Sequence, residues 1–89
     1  MPVISMFYGI IVRMFNFDNQ KHHTPHIHVE YQNESAVVAI ESGELLQGDL
    51  PPRAKRILFA WMEIHREELI ADWRLAVNGE HPFKIRPLD

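Results

Sequence analysis

The chain predicts an α+β fold, a small antiparallel meander of about four strands packed against two C-terminal helices, with a final short strand. Three observations carry this reading. His26, Ile27, His28, Val29 and Glu30 alternate polar and apolar with the period of a strand. Two polar clusters, Gln32-Asn33-Glu34 and Ser42-Gly43-Glu44, punctuate the residues that follow as turns. From Ala54 onward the apolar residues recur at helical spacing instead.

Taken in order, residues 7–15 are rich in aromatic and β-branched side chains and predict a strand, with Gly9 as a bulge or close backbone approach and Arg13 emerging near its end. The polar stretch 16–25 ends at Pro25 and predicts a loop that delivers His26 into the second strand. In that strand Ile27, Val29 and Tyr31 form the apolar face, leaving His26, His28 and Glu30 opposite. Residues 36–41 predict a third strand, and Leu45 and Leu46 a short fourth. Pro51 and Pro52 open a helix, because proline tolerates a first turn where its missing N–H would have no partner. Ala54, Ile57, Leu58, Trp61, Ile64, Leu69, Ile70, Trp73, Ala76 and Val77 then form one stripe that stops at Asn78-Gly79. One unbroken helix of about 26 residues would reach about 39 Å, long for so small a domain, so a break is expected near His65 and Arg66. Residues 82–87 alternate Phe83 and Ile85 against Lys84 and Arg86, which predicts a return to a sheet edge.

Eighty-nine residues, 46% of them hydrophobic, suit one domain spanning residues 1–89 with a single core. The longest apolar run, residues 6–14, is interrupted by Gly9 and Arg13 and is far short of a bilayer span. With no secretion-signal pattern and no cysteine, a cytoplasmic protein is expected, without disulfides or a thiolate site. A net charge of −3 argues against a protein coated in basic charge for nucleic acid. The charges are nevertheless segregated: Glu30, Glu34, Glu41, Glu44 and Asp49 precede a basic cluster of Arg53, Lys55 and Arg56.

His22, His23, His26 and His28 are four of the six histidines and fall within seven residues, which makes this segment the candidate site. Imidazole transfers protons near neutral pH and ligates zinc and similar divalent metals. His26 and His28 are therefore candidate catalytic residues. Together with His22 or His23 from the preceding loop, they are also candidate metal ligands. Glu30 shares their face but lies about 13 Å along the strand from His26, far for a common ion. The plain alternative is a solvated polar sheet face. Arg13, Arg53, Arg56, Lys84 and Arg86 are candidate contacts to phosphates or to a partner. His65 reads as a residue of the helix break, and Trp61 and Trp73 as core. Neither the cupin pattern nor the histidine-triad pattern fits: the glutamate falls at the wrong spacing for the first, and Glu30 stands where the second needs a third histidine.

The chain resembles the small bacterial proteins of domain-of-unknown-function family 4160. The likeness rests on residues 2–12, Pro25-His26-Ile27-His28-Val29, Glu41-Ser42-Gly43-Glu44, Leu50-Pro51, and Trp61, His65, Glu68, Leu69 and Trp73. Thr24 stands where such proteins typically carry a second proline. The resemblance implies the fold but no activity. Members are often encoded beside another small protein, as in toxin–antitoxin pairs, which implies a small protein partner encoded in the same operon; an oligomer is also open.

Three functions are open to the sequence. The leading one is a partner-binding component of a toxin–antitoxin-like pair that binds or acts on RNA. As a metal-independent ribonuclease it would use His26 or His28 as general base and acid, with Arg53, Arg56 or Lys84 facing the phosphorane. The second is a divalent-metal protein, zinc for example, using the histidine cluster. The third is an adaptor or antitoxin without chemistry.

Overall fold

The computed structural model describes residues 2–17 and 23–88. One five-stranded antiparallel sheet runs in the order β1-β2-β3-β4-β5, comprising β1 (Val3–Phe7), β2 (Ile10–Arg13), β3 (His26–Tyr31), β4 (Glu34–Ala39) and β5 (Leu45–Gly48). Two helices follow, α1 (Pro52–Ile64) and α2 (Arg66–Val77). The fold is α+β, and His65 is the break between the helices: its N–H bonds to the Trp61 carbonyl while its own carbonyl accepts from Leu69.

The meander has five strands rather than four. Residues 7–15, expected as one strand, fold into a hairpin at Tyr8 and Gly9, with φ of 49° and 81°. Positive φ at both central residues gives the turn the twist of the strands it joins. Gly9 takes this conformation freely, while Tyr8 does so against its ordinary preference. Residues 3–6, unassigned on sequence, join Phe7 in the first strand.

The final segment returns to the sheet edge as expected, but not as a strand. Residues 82–87 do not join the ladder as a strand. They run beside β1 as an irregular strap held at three points: Phe83 N–H to Asp72 Oδ1 at 2.9 Å, Ile85 N–H to the Ile4 carbonyl at 2.7 Å, and Trp61 Nε1–H to the Arg86 carbonyl at 2.8 Å. Of the alternating pair that suggested a strand, Ile85 is buried whereas Phe83 is 74% exposed. Pro82 and Pro87 bracket the segment and have no N–H for a ladder.

One core cluster forms against a single face of the sheet, from Ile10, Val12, Ile27, Val29, Val38 and Ile40 together with Leu58, Trp61 and Leu69 of the helices. Trp61 is fully buried, with its ring 5.0 Å from that of Phe7. The far end of α2 covers the edge of the sheet where β2 ends and β3 begins. There Phe17 N–H bonds to the Ala76 carbonyl and Asn16 Nδ2 donates to the Gly79 carbonyl. The helix stops at Asn78-Gly79 as the sequence predicts, with Glu80 N–H closing onto the Leu75 carbonyl.

Gly48, at the end of β5, sits at φ 74°, and a Cβ there would lie 2.2 Å from the Ser35 carbonyl oxygen and 3.1 Å from Ala36 Cα. Both neighbours are backbone and cannot rotate away. Gly48→Ala is therefore expected to cost about 1–3 kcal/mol, above the ordinary glycine-to-alanine effect, and to lower the urea midpoint with an unchanged m-value.

Candidate functional site

The sheet face away from the core is built by strand register. Arg13, His28, Val37 and Gln47 face one another across β2, β3, β4 and β5, forming a straight row. One step along, Ile11, Glu30 and Ser35 form the next. Because side chains alternate across a pleated strand, His28 and Glu30 point to the same side, about 6.8 Å apart along the backbone. Between the rows lies an open groove of about 350 Å³, lined by Arg13, Phe15, His28, Glu30, Ser35 and Gln47 among others.

The polar groups in the groove are held in place. Arg13 Nε donates to Glu30 Oε1 at 3.3 Å, a diagonal cross-strand ion pair with both partners part-exposed. The Phe15 ring meets the His28 imidazole edge to face, with centroids 4.5 Å apart and planes at 83°. A carboxylate, an imidazole and a guanidinium thus share one concave surface on rigid strands, with an aromatic ring beside them.

His26 lies on the same side of β3 but is only 1% exposed. Its Nδ1–H donates to the Thr24 carbonyl at 2.8 Å, its ring is 4.9 Å from that of Trp73, and it stands 5.4 Å from the His28 ring. A carbonyl can only accept, so this bond fixes the ring's tautomer and orientation. The two histidines are therefore brought together as neighbours, His28 facing the groove and His26 walled in behind it by the end of α2.

The other candidates are distributed elsewhere. His22 lies outside the described residues, and His23 is exposed in the loop. Among the described residues no group of three His, Cys, Asp or Glu is placed to hold a metal ion. Arg53 and Arg56 are exposed on the first turns of α1, away from the groove, and Lys55 Nζ pairs with Asp49 at 3.2 Å. Lys84 and Arg86 line a separate groove beside β1. His65 pairs with Glu68 one turn on and lies 5.5 Å from the Trp61 ring, a helix-break residue as its sequence position implies. Phe15, Ser35 and Gln47 were not foreseen. Phe15 reads as the end of a buried strand, and β5 is too short for its alternation to reveal which way Gln47 faces.

Two carboxylates outside the groove carry shifted titrations. Asp49 is held below the usual carboxylate range by the Leu50 N–H and the Lys55 ammonium. Burial raises Asp72 above that range, opposed by the Phe83 N–H and reinforced by Glu68. Its Oδ1 accepts the Phe83 bond, while Oδ2 is buried without a hydrogen-bond partner among the described residues. A carboxyl whose folded-state value is raised contributes stability that is present below the ordinary range and is lost as pH rises through the raised value. Asp72→Asn keeps the acceptor for Phe83 but cannot ionise. Its thermal midpoint relative to the parent is therefore expected to shift in the variant's favour from mildly acidic to neutral pH. A constant difference across that window would rule the linkage out.

A family model described as "Domain of unknown function (DUF4160)" matches residues 9–74, a span that contains every groove residue named above. Neither the curated proteins nor the solved structures contain a match. No helix of the described residues is long and apolar enough to cross a membrane.

Proposed function

The chain belongs to the DUF4160 family, and because that description carries no activity, we propose a function from the groove itself: metal-independent cleavage of single-stranded RNA. The observation that carries it is the convergence of Glu30, His28 and Arg13 on one open face, with Arg13 already aligned on the Glu30 carboxylate. These are a base, an acid and a fixed positive charge, the set that transesterification at phosphorus requires. The Glu30 carboxylate takes the proton of a ribose 2′-hydroxyl, whose oxygen attacks the adjacent phosphorus. The 2′-oxygen–phosphorus bond forms as the bond to the 5′-oxygen breaks, and the imidazolium of His28 gives its proton to that leaving oxygen. Arg13 faces the negative charge that develops on the non-bridging oxygens. The products are a 2′,3′-cyclic phosphate and a free 5′-hydroxyl, and no oxidant or second reactant is needed.

Phe15 offers a ring face to an unstacked base, and Gln47 and Ser35 offer hydrogen bonds to base edges or ribose, which favours single strands over duplex. His26 is a positioning residue in this scheme, fixing His28 from behind. An RNA-cleaving protein needs a restraint inside its own cell, which agrees with the small protein partner that the family resemblance implies. The test is digestion of a single-stranded RNA in excess chelator. Cleavage that leaves cyclic phosphate ends, and that falls sharply in Glu30→Gln and Arg13→Gln, supports the proposal. Cleavage abolished by chelator would favour the metal-dependent reading of the histidine cluster. RNA that binds intact would reduce the groove to a recognition surface.

A further inference from the structure

The groove between β1 and the C-terminal strap shares no lining residue with the groove on the sheet face, and has about 490 Å³ of space. Its walls are mostly apolar, from Val3, Ile4, Met6 and Ile85, and among the described residues its charged lining is Lys84 and Arg86, with no Asp or Glu. Met6 is 60% exposed, and Phe83, next to Lys84, is 74% exposed. Large apolar side chains left in water beside a groove mark a surface that is covered in use. The charge is as informative as the apolarity. On a chain with 12 acidic and nine basic residues, this groove carries two cationic side chains; Lys84 makes no ion pair among the described residues, and Arg86, which has a partner of its own, adds its charge to the same rim.

We propose that this groove docks an acidic, apolar-anchored segment of a protein partner. Apolar side chains of the segment fill the space between Met6 and Ile85, and its carboxylates meet Lys84, with the charge of Arg86 adding to the attraction. Charges of this kind at the rim of an apolar groove select the partner and speed its arrival more than they add affinity. A peptide is favoured over RNA because the lining is mostly apolar and carries two cationic side chains, where RNA binding leans on many phosphate contacts. The proposal is independent of the RNA chemistry assigned to the sheet face.

The test uses the full chain and a short fluorescein-labelled peptide alternating leucine with glutamate, followed by fluorescence anisotropy. A leucine–lysine peptide of equal length is the control, and unlabelled oligouridylate the competitor. The acidic peptide is expected to bind, the basic one not. The double variant Lys84→Glu/Arg86→Glu should weaken binding roughly tenfold or more, since both charges now repel the probe. These two side chains are exposed, and the Arg86 group that holds Trp61 is its backbone carbonyl; an unchanged thermal midpoint of the double variant separates lost docking from lost folding. Met6→Asp should weaken the same probe by removing an apolar anchor. His28→Ala should leave peptide affinity unchanged, and the double variant should leave RNA cleavage unchanged, which separates this proposal from the preceding one. Absence of binding, equal binding of the two peptides, affinity insensitive to Lys84 and Arg86, or displacement by oligouridylate would each overturn it.

Discussion

His28→Ala is expected to fold as the parent does and to lose about 10²–10⁴-fold in RNA turnover, the usual contribution of a positioned general acid. His28 is only part-buried, on the open face of the sheet, so its removal leaves the core on the other face intact. The loss should depend on the leaving group. A uridine 3′-phosphodiester of nitrophenol expels a stable phenolate that needs no proton, so on this substrate His28→Ala should recover most of the parent rate. Glu30→Gln should stay slow on both substrates, because the 2′-hydroxyl must be deprotonated whatever leaves. Equal losses for His28→Ala on both substrates would assign His28 to binding and not to proton donation. Far-UV circular dichroism and the thermal midpoint of each variant guard against unfolding as the cause.

Trp61→Ala is expected to have the largest effect on stability, about 3–5 kcal/mol, which is a large share of what holds a domain of this size. Three contributions coincide at this side chain. It is fully buried, its ring packs against Phe7 of β1, and its Nε1–H holds the Arg86 carbonyl of the strap. Trp61→Phe separates them, since it keeps most of the ring volume and removes the donor. That variant should lose less, with a strap carbonyl left unpartnered as part of the cost. Urea unfolding of both variants measures the difference. A Trp61→Ala loss below about 1 kcal/mol would mean that the helices and the strap are not seated on the sheet as described.

The parts of the fold that sequence makes legible are those set by local periodicity. His26–Tyr31 matches its strand residue for residue, because one face of it is needed by the core. The helix break at His65 is visible because an unbroken stripe would outrun the domain. The hairpin at Tyr8-Gly9 is hidden by its chemistry: tyrosine is a poor turn residue, and the flanking residues on both sides are strand formers. The strap misleads for the opposite reason. It alternates like a strand, yet among the described residues only Ile85 makes a backbone bond to β1, while side chains of the helices, Asp72 and Trp61, claim the bonds on either side of it.

The site follows the same division. That His28 and Glu30 share a face can be read from the pleat alone. That Arg13 stands opposite His28 and reaches Glu30 depends on the β2–β3 register, which the intervening loop does not reveal. The difference between the two histidines is likewise tertiary. Alternation gives His26 and His28 equal standing, and only the end of α2, bringing Trp73 against one ring, makes the first a buried support and leaves the second open to the groove.

The central claim is that a ribose 2′-hydroxyl, activated by the groove, is the nucleophile. Its most direct measurement is digestion, in excess chelator, of a DNA oligonucleotide carrying one ribonucleotide. The account predicts a single cut at the phosphate that follows the ribose, leaving a 2′,3′-cyclic phosphate, with loss of the cut in Glu30→Gln. An intact oligonucleotide, cuts at deoxyribose positions, or a new 5′-phosphate end would contradict it.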